Sequence, residues 1–274
     1  MSEQFFHLFA YDFVRNAFMA GSLAAILGAV VGYFVILRNV GFAAHALAHI
    51  GFTGATGAAL LALSPLQGML LISCAAGALM GISGNKLHRS ELAVGMVLSF
   101  SLGVGTLFLA LYKGFAGQAT SILFGNIFGV SHSQILETAL LALLSLSALA
   151  LFSRRLLFAS LQPDLAESRG LSLTTLSTAF MVILAIAVTL ASQVVGILLV
   201  FSLVIGPAGI AARLCRGFWS AMTFSILIAL GSVWAGIFLA CFTNLPPSFW
   251  ITGILFALYL VTELLCRFVL RIER

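Results

Sequence analysis

The stretch NAFMAGSLAAILGAVVGYFVIL, residues 16–37, decides the fold class because it lies between Arg15 and Arg38 and contains no charged side chain. A bilayer core needs about 20 apolar residues per helix, so this stretch is long enough to cross a membrane. Uncharged stretches of similar or double length recur between Arg38 and Lys86, Glu91 and Lys113, Arg169 and Arg213, and Arg216 and Glu263. The sequence therefore predicts an all-α, polytopic membrane protein.

The composition points the same way. Of the 274 residues, 62% are hydrophobic and 8% are charged, which is too few charges for the surface of a soluble domain of this length. The net charge is +5, but basic residues in membrane proteins usually record topology. Because the chain has no basic run or basic–aromatic patch, we expect the lipid bilayer and no nucleic acid as a partner.

The charges also predict a threading of about eight or nine spans in a single domain, residues 1–274. If the 154–170 segment is cytoplasmic, only Arg15 and Lys113 among the basic residues fall outside, as the positive-inside rule requires. The segment 114–132 is then an outer loop with a short interfacial or re-entrant helix. Eight spans with a partly inserted second segment stay an alternative to nine, whose positions are 14–37, 41–62, 66–83, 92–112, 134–153, 172–191, 195–212, 218–241 and 249–266.

A histidine pair in the second span, GFAAHALAHIG at residues 41–51, is the first candidate site. Residues at i and i+4 share a helix face, so the imidazoles of His45 and His49 could ligate one transition metal or pass it along. Ionisable groups at membrane depth are costly and usually face a cavity or a path. The alternative, in which the histidines hydrogen-bond a neighbouring helix, stays open. Enzymatic chemistry is not expected, since the zinc-protease pattern H-E-x-x-H is absent.

A second candidate is the segment QPDLAESRGL, residues 162–171, which follows the fifth predicted span. Pro163 suits a first helical position, Asp164 and Glu167 suit the positive end of a helix dipole, and Gly170 suits the stop. We expect a short helix there. It is either a capped connector or a docking helix for a soluble partner.

These segments together resemble the permease subunits of ABC importers for zinc, manganese and iron, the ABC-3 type. The likeness covers roughly residues 20–260 and rests on four segments in matching order: His45-Ala-Leu-Ala-His49, Glu91-Leu-Ala-Val-Gly95, Pro163-Asp164-Leu165-Ala166 to Gly170, and Val195-Gly196-Ile-Leu-Leu-Val200 followed by Ile205-Gly206-Pro207-Ala208.

The resemblance implies a multi-pass subunit in the bacterial cytoplasmic membrane that imports a divalent transition metal and has no intrinsic cofactor. The chain lacks the phosphate-binding pattern G-x-x-x-x-G-K-[ST], so a separate ABC ATPase would hydrolyse ATP. The other implied partners are an extracytoplasmic metal-binding protein and a second permease copy, as a homodimer. The competing class is an ATP-independent secondary transporter or channel for a small solute, but the acidic coupling residues that it would need at mid-membrane are not evident.

The resemblance also assigns roles to residues. Asp164, Ala166, Glu167 and Gly170 would belong to the segment that couples the permease to its ATPase. Glu91 would be a transient binding site (a way-station) for the ion near the inner end of the path, or it would simply interact favourably with the N-terminal end of a helix dipole. Gly206 and Pro207 would break the helix beside the path, or only kink it.

The resemblance bears on the metal as well. His45 stands where relatives often carry Asp, which changes the expected ligands from oxygen plus nitrogen toward two nitrogens. Two nitrogens favour zinc, with manganese or iron as further possibilities.

Overall fold

The computed structural model describes residues 11–83, 91–112, 121–243 and 245–272, which form a bundle of α-helices with no strand in these ranges. A 3-10 turn, Ile127–Gly129, lies in the segment between Leu111 and His132. The helices are α1 (Asp12–Leu37), α2 (Gly41–Leu60), α3 (Pro65–Ile82), α4 (Glu91–Leu111), α5 (His132–Leu161), α6 (Pro163–Ser168), α7 (Leu173–Val195), α8 (Val200–Leu214), α9 (Phe218–Thr243) and α10 (Pro247–Ile272).

Seven of the described helices are long and apolar enough to cross a membrane: α1, α3, α4, α5, α7, α9 and α10. The other two predicted spans are present as α2, with 20 residues, and α8, with 15 residues. Histidines and glycines make α2 less apolar, whereas α8 is short for a bilayer core. The prediction of a polytopic helical bundle is confirmed.

Side-chain contacts link helix ends that should lie on the same side of the membrane if successive helices cross it in opposite directions. At one end, Arg38 Nη1 donates to Ser160 Oγ at 3.4 Å, and Arg213 forms an ion pair with Glu263. At the opposite end, Asn16 Nδ2 donates to the carbonyl oxygen of Val130 at 3.2 Å. We call the first of these the basic end, because it carries Arg38, Arg154, Arg155, Arg213 and Arg267.

Small residues bring the helix backbones close together, which is how helices associate in lipid without a hydrophobic drive. A Cβ on Gly32 of α1 would fall on the backbone carbonyl oxygen of Val204 in α8. On α2 the small residues face the interior, since Ala44, Ala48, Gly51 and Ala55 are all buried.

The row of small residues on α4 behaves differently. A Cβ added to Gly95 or Gly103 would meet no described atom within 4 Å, so these two glycines make no close helix contact within the described ranges. The contact instead uses Gly105, where the absence of a Cβ leaves room for the ring of Phe52 in α2.

The fifth span is longer than predicted. Charged Arg154 and Arg155 marked the expected start of a cytoplasmic loop, yet α5 continues as a helix to Leu161. This expectation was wrong because charge ends the membrane-buried part of a helix but not the helix itself, and arginine, leucine and alanine are good helix formers. The helix ends where Pro163 disfavours a helical conformation in the residue before it.

Two non-helical backbone segments cross each other just before α8. Two glycines with positive φ face each other at this crossing, Gly125 at 79° and Gly196 at 83°. The N–H groups of Ile197 and Leu198 donate to the carbonyl oxygens of Ile122 and Leu123 at 3.4 and 3.3 Å. Backbone groups at membrane depth need such internal partners.

The predicted outer loop 114–132 contributes one side of this crossing. Its first part, 114–120, lies outside the described residues. Its described part contains a short helical stretch, 121–124, and the 3-10 turn. Asn126 Oδ1 accepts a hydrogen bond from Gly129 N–H at 3.1 Å and so caps this turn.

We predict that Gly32→Ala lowers the thermal stability of the detergent-solubilised protein by about 1–3 kcal/mol, because the added methyl group overlaps the backbone of α8. Gly231→Ala in α9 is the matched control, since a Cβ there meets open space. The melting temperature measures both variants. Equal melting temperatures would show that α1 and α8 do not depend on this contact.

Candidate functional site

The histidine pair lies on the second and third turns of α2, with the two rings 4.6 Å apart between centroids. The shared face predicted from the i, i+4 spacing is confirmed. His45 also contacts the ring of Phe201 in α8 edge-on, with centroids 5.7 Å apart. His49 lies deeper, with 8% of its surface exposed.

The hydrogen bonds that a purely structural role would require are not found for this pair among the described residues. His49 Nδ1 is buried and has no hydrogen-bond partner among the described residues. Within the same ranges, neither histidine hydrogen-bonds a neighbouring helix. An unpaired buried polar atom costs about 1–3 kcal/mol, so it is expected where a ligand or water completes it. Neutral imidazole nitrogen is a common ligand for divalent transition metals.

His45 faces a groove of 1110 Å³ that is open along the side of the bundle. Its walls are mostly apolar and include four phenylalanine rings, with polar groups from Asn39, Ser202 and Thr252 among them. The groove is lined by residues 39–43, His45, Val94, 198–199, 201–202, 249, 252–253 and 256. His49 is not part of this lining, so the pair leads from the groove into the protein.

The pair alone does not complete a metal site. The described residues contain no cluster of three or more His, Cys, Asp or Glu side chains suited to a metal ion. Zinc in proteins usually has four ligands. Two imidazoles therefore leave positions for water or for groups from another subunit.

Glu91, the predicted way-station, begins α4 at the basic end, but its side chain lies outside the described part of the chain. Val94, one turn later, does line the groove. The backbone therefore places Glu91 near the basic end of the groove, and its role stays a prediction.

The predicted helix break at Gly206 and Pro207 is not present, since α8 runs unbroken from Val200 to Leu214 with Pro207 inside it. The helical path is interrupted earlier instead, at Gly196. Proline removes one backbone hydrogen bond and loosens the helix without ending it when neighbouring helices hold both halves.

The short helix expected near residues 160–171 is confirmed as α6, with Pro163 in its first turn. Ala166 is fully buried and anchors α6 to the bundle, while Asp164, Leu165 and Glu167 are exposed. After the helix, Gly170 adopts a φ of 78° and its N–H donates to the carbonyl oxygen of Glu167 at 2.9 Å. The result is a short helix that is anchored at Ala166 and that exposes its acidic side chains to solvent.

Sequence reasoning missed the residues of α8 and α10 that complete the groove. Phe201 and Ser202 follow the Val195–Val200 segment directly, so that segment was a usable signal. Phe249, Thr252 and Phe256 lie in an apolar helix with no motif, and only tertiary packing brings them to the groove.

We predict different accessibilities for the two histidine positions. In a background in which Cys74, Cys215, Cys241 and Cys266 are alanine, His45→Cys should react with a small charged thiol reagent at least roughly tenfold faster than His49→Cys, because only position 45 lines the groove. Labelling rates in native membranes measure this. Equal rates would contradict the described arrangement.

Comparison with known proteins supports the sequence resemblance. The family model described as the ABC 3 transport family matches residues 10–266. The manganese transport system membrane protein MntC of Listeria monocytogenes is 27% identical over 88% of this chain and 86% of its own length. The manganese import system permease protein ScaB of Streptococcus parasanguinis is 28% identical over 86% of this chain and 84% of its own.

A solved structure has the same fold. PsaBC from Streptococcus pneumoniae, in complex with Fab, superposes with a TM-score of 0.86 over 96% of this chain and 95% of that chain, at 24% sequence identity.

Proposed function

The chain belongs to the ABC 3 transport family, and we propose that it is the membrane-spanning permease subunit of an ATP-binding cassette importer for a divalent transition metal. One observation carries the proposal: two adjacent imidazoles on α2 lie between an open groove and the protein interior. The relatives named for manganese transport support it. Such a subunit is not itself an enzyme, and its place is the bacterial cytoplasmic membrane.

We favour zinc as the cargo, with manganese or iron as further possibilities. Imidazole nitrogen suits zinc, whereas carboxylate oxygen suits manganese, so a pair of histidines shifts the preference toward zinc. The relatives named above carry manganese in their names, which is why the ligand pair of this chain is the feature to test.

A second copy of the chain would complete the site. Two copies that face each other across the groove would add groups from the partner's groove wall to His45, toward the four ligands that tetrahedral zinc takes. The polar groups in the groove wall, Asn39, Ser202 and Thr252, are also better suited to a path between subunits than to lipid contact.

The remaining partners follow from the missing phosphate-binding loop and from the exposed face of α6. A separate ABC ATPase would dock on Asp164, Leu165 and Glu167, while Ala166 fixes the helix to the bundle. An extracytoplasmic metal-binding protein would deliver the ion at the opposite end.

We predict that His45→Asp raises manganese uptake relative to zinc uptake, because it replaces a nitrogen ligand by oxygen. Competitive uptake of radioactive zinc and manganese by cells measures the ratio. The control is His45→Ala with His49→Ala, which should abolish uptake of both metals. An unchanged ratio in His45→Asp would contradict the zinc assignment, and full uptake in the double alanine variant would make the pair structural.

Uptake by the unaltered chain should also fall as the pH is lowered. Ligation needs neutral imidazole, so protons compete with the metal at both positions. Initial zinc uptake rates between about pH 8 and 5 measure the effect. The double alanine variant, assayed at each pH, supplies the background.

Substitutions on α6 should uncouple transport from ATP hydrolysis. We expect Asp164→Asn and Glu167→Gln to reduce uptake while membrane insertion and abundance stay normal, because both side chains are exposed and make no described contact that holds the fold. Gly170→Ala should also reduce uptake, by straining the turn after α6, where the φ of Gly170 is 78°. Asp12→Asn, an exposed acid at the other end, is the control. Unchanged uptake in all three variants would contradict docking at α6.

A further inference from the structure

We propose that Arg38 is a positioning residue that transmits movement of α6 to the histidine-bearing helix α2. This inference rests on the proposed function, since it assigns a residue to the step between ATPase docking and opening of the path. Its basis is the joining of three structural elements at one guanidinium group, beside the turn that leads into α2.

The backbone of Arg38 is tied tightly to the start of α2. Arg38 follows the last residue of α1, and Asn39 then reverses the chain with a φ of 54°. The N–H of Val40 donates to the carbonyl oxygen of Val35 at 3.1 Å, and the N–H of Ala44 donates to that of Val40 at 3.1 Å. Residues 39–41 line the groove, and His45 lies on the second turn after them. A shift at Arg38 therefore reaches the groove wall with no flexible linker between.

The side chain of Arg38 reaches the base of α6 through α5. Its Nη1 donates to Ser160 Oγ at 3.4 Å, and Ser160 Oγ donates in turn to the carbonyl oxygen of Leu156 at 2.6 Å. Ser160 precedes α6 by only a few residues. Hydrogen bonds from Gln162 N–H to Phe158 and from Ala166 N–H to Gln162 continue across the junction, so the end of α5 and α6 move together.

The same guanidinium group also lies over an aromatic ring of α7. Its carbon is 5.3 Å from the centroid of Phe180, a ring that is 1% exposed and that packs against Phe34 of α1 at 6.4 Å. Cation–π contacts of this kind contribute about 0.5–2 kcal/mol. Arg38 thus contacts α5 and α7 at once, and α6 connects these two helices along the chain.

Arginine is specifically suited to this position. Its planar fork can stack on a ring and donate a hydrogen bond in the same plane, which the compact ammonium group of lysine cannot reproduce. The Nε atom is buried without a hydrogen-bond partner among the described residues, so the group is not saturated in this conformation. A displaced α5 end can change the set of bonds that Arg38 makes and draw the 38–41 turn with it.

The experiment uses the whole transporter, purified with its ATPase and reconstituted in liposomes, with zinc as the transported probe. It measures zinc transported per ATP hydrolysed for Arg38→Lys and for Ser160→Ala, which removes only the partner hydroxyl. Arg155→Gln is the matched control, because Arg155 is an exposed arginine on the same helix as Ser160.

We expect both test variants to assemble normally and to hydrolyse ATP, while zinc transported per ATP falls by roughly fivefold, the size of effect that loss of one hydrogen bond produces. The control should keep the normal ratio.

Three results would overturn the inference. An unchanged ratio in Ser160→Ala and Arg38→Lys would show that the contact carries no coupling. An equal loss of hydrolysis and transport, or a loss of assembly confined to Arg38→Lys while Ser160→Ala stays fully coupled, would make Arg38 a structural cap. If no ATPase co-purifies with the unaltered chain, the proposed function itself is refuted. The unaltered complex therefore separates this outcome from a coupling defect that is confined to the Arg38 and Ser160 variants.

Discussion

The close approach of α1 to α8 is the constraint on which the rest of the structure depends. Lipid offers no hydrophobic drive for helix association, so backbones must come near enough for dispersion and weak polar contacts. Because Gly28 and Gly32 have no side chains, the backbone around Val204 in α8 can pack directly against α1. On another face of α1, Ser225 Oγ of α9 donates to the carbonyl oxygen of Ala29 at 3.3 Å. This packing holds α8 where Phe201 meets His45, and so it fixes one wall of the groove.

The same physical setting explains the arrangement of irregular backbone and of polar side chains. Where the chain leaves the helical path at Gly125 and Gly196, its N–H and carbonyl groups pair with each other across the crossing. Two of the exceptions lie at the proposed path, because His49 Nδ1 and Arg38 Nε are both buried without partners among the described residues. The hydroxyls of Ser145, Thr189 and Ser232 are exceptions elsewhere in the bundle. Groups left unsatisfied in this way are suited to bind an ion or to change partners during a transport cycle.

Much of this arrangement could be predicted from the sequence, and the reason is the bilayer. Charge is so costly in lipid that the intervals between Arg15, Arg38 and Arg213 locate the spans, and the i, i+4 spacing of His45 and His49 fixes their shared face. Charge says less about where helices end in water, which is why the extension of α5 to Leu161 was missed. The contributions of Phe249 and Thr252 to the groove depend on tertiary packing that no local pattern encodes. Arg38 was read only as a topology marker, because its contacts with Ser160 and Phe180 join positions more than a hundred residues apart.

The central claim is that this chain moves a divalent metal through the membrane with energy from a separate ATPase. The most direct test is to purify the tagged chain from its native membrane with its accompanying proteins, reconstitute them in liposomes, and measure zinc uptake driven either by ATP or by an imposed proton gradient. The account predicts that an ATPase subunit accompanies the chain and that uptake requires ATP and the metal-binding protein. Recovery of the chain alone, with uptake driven by the proton gradient, would contradict it and identify a secondary transporter.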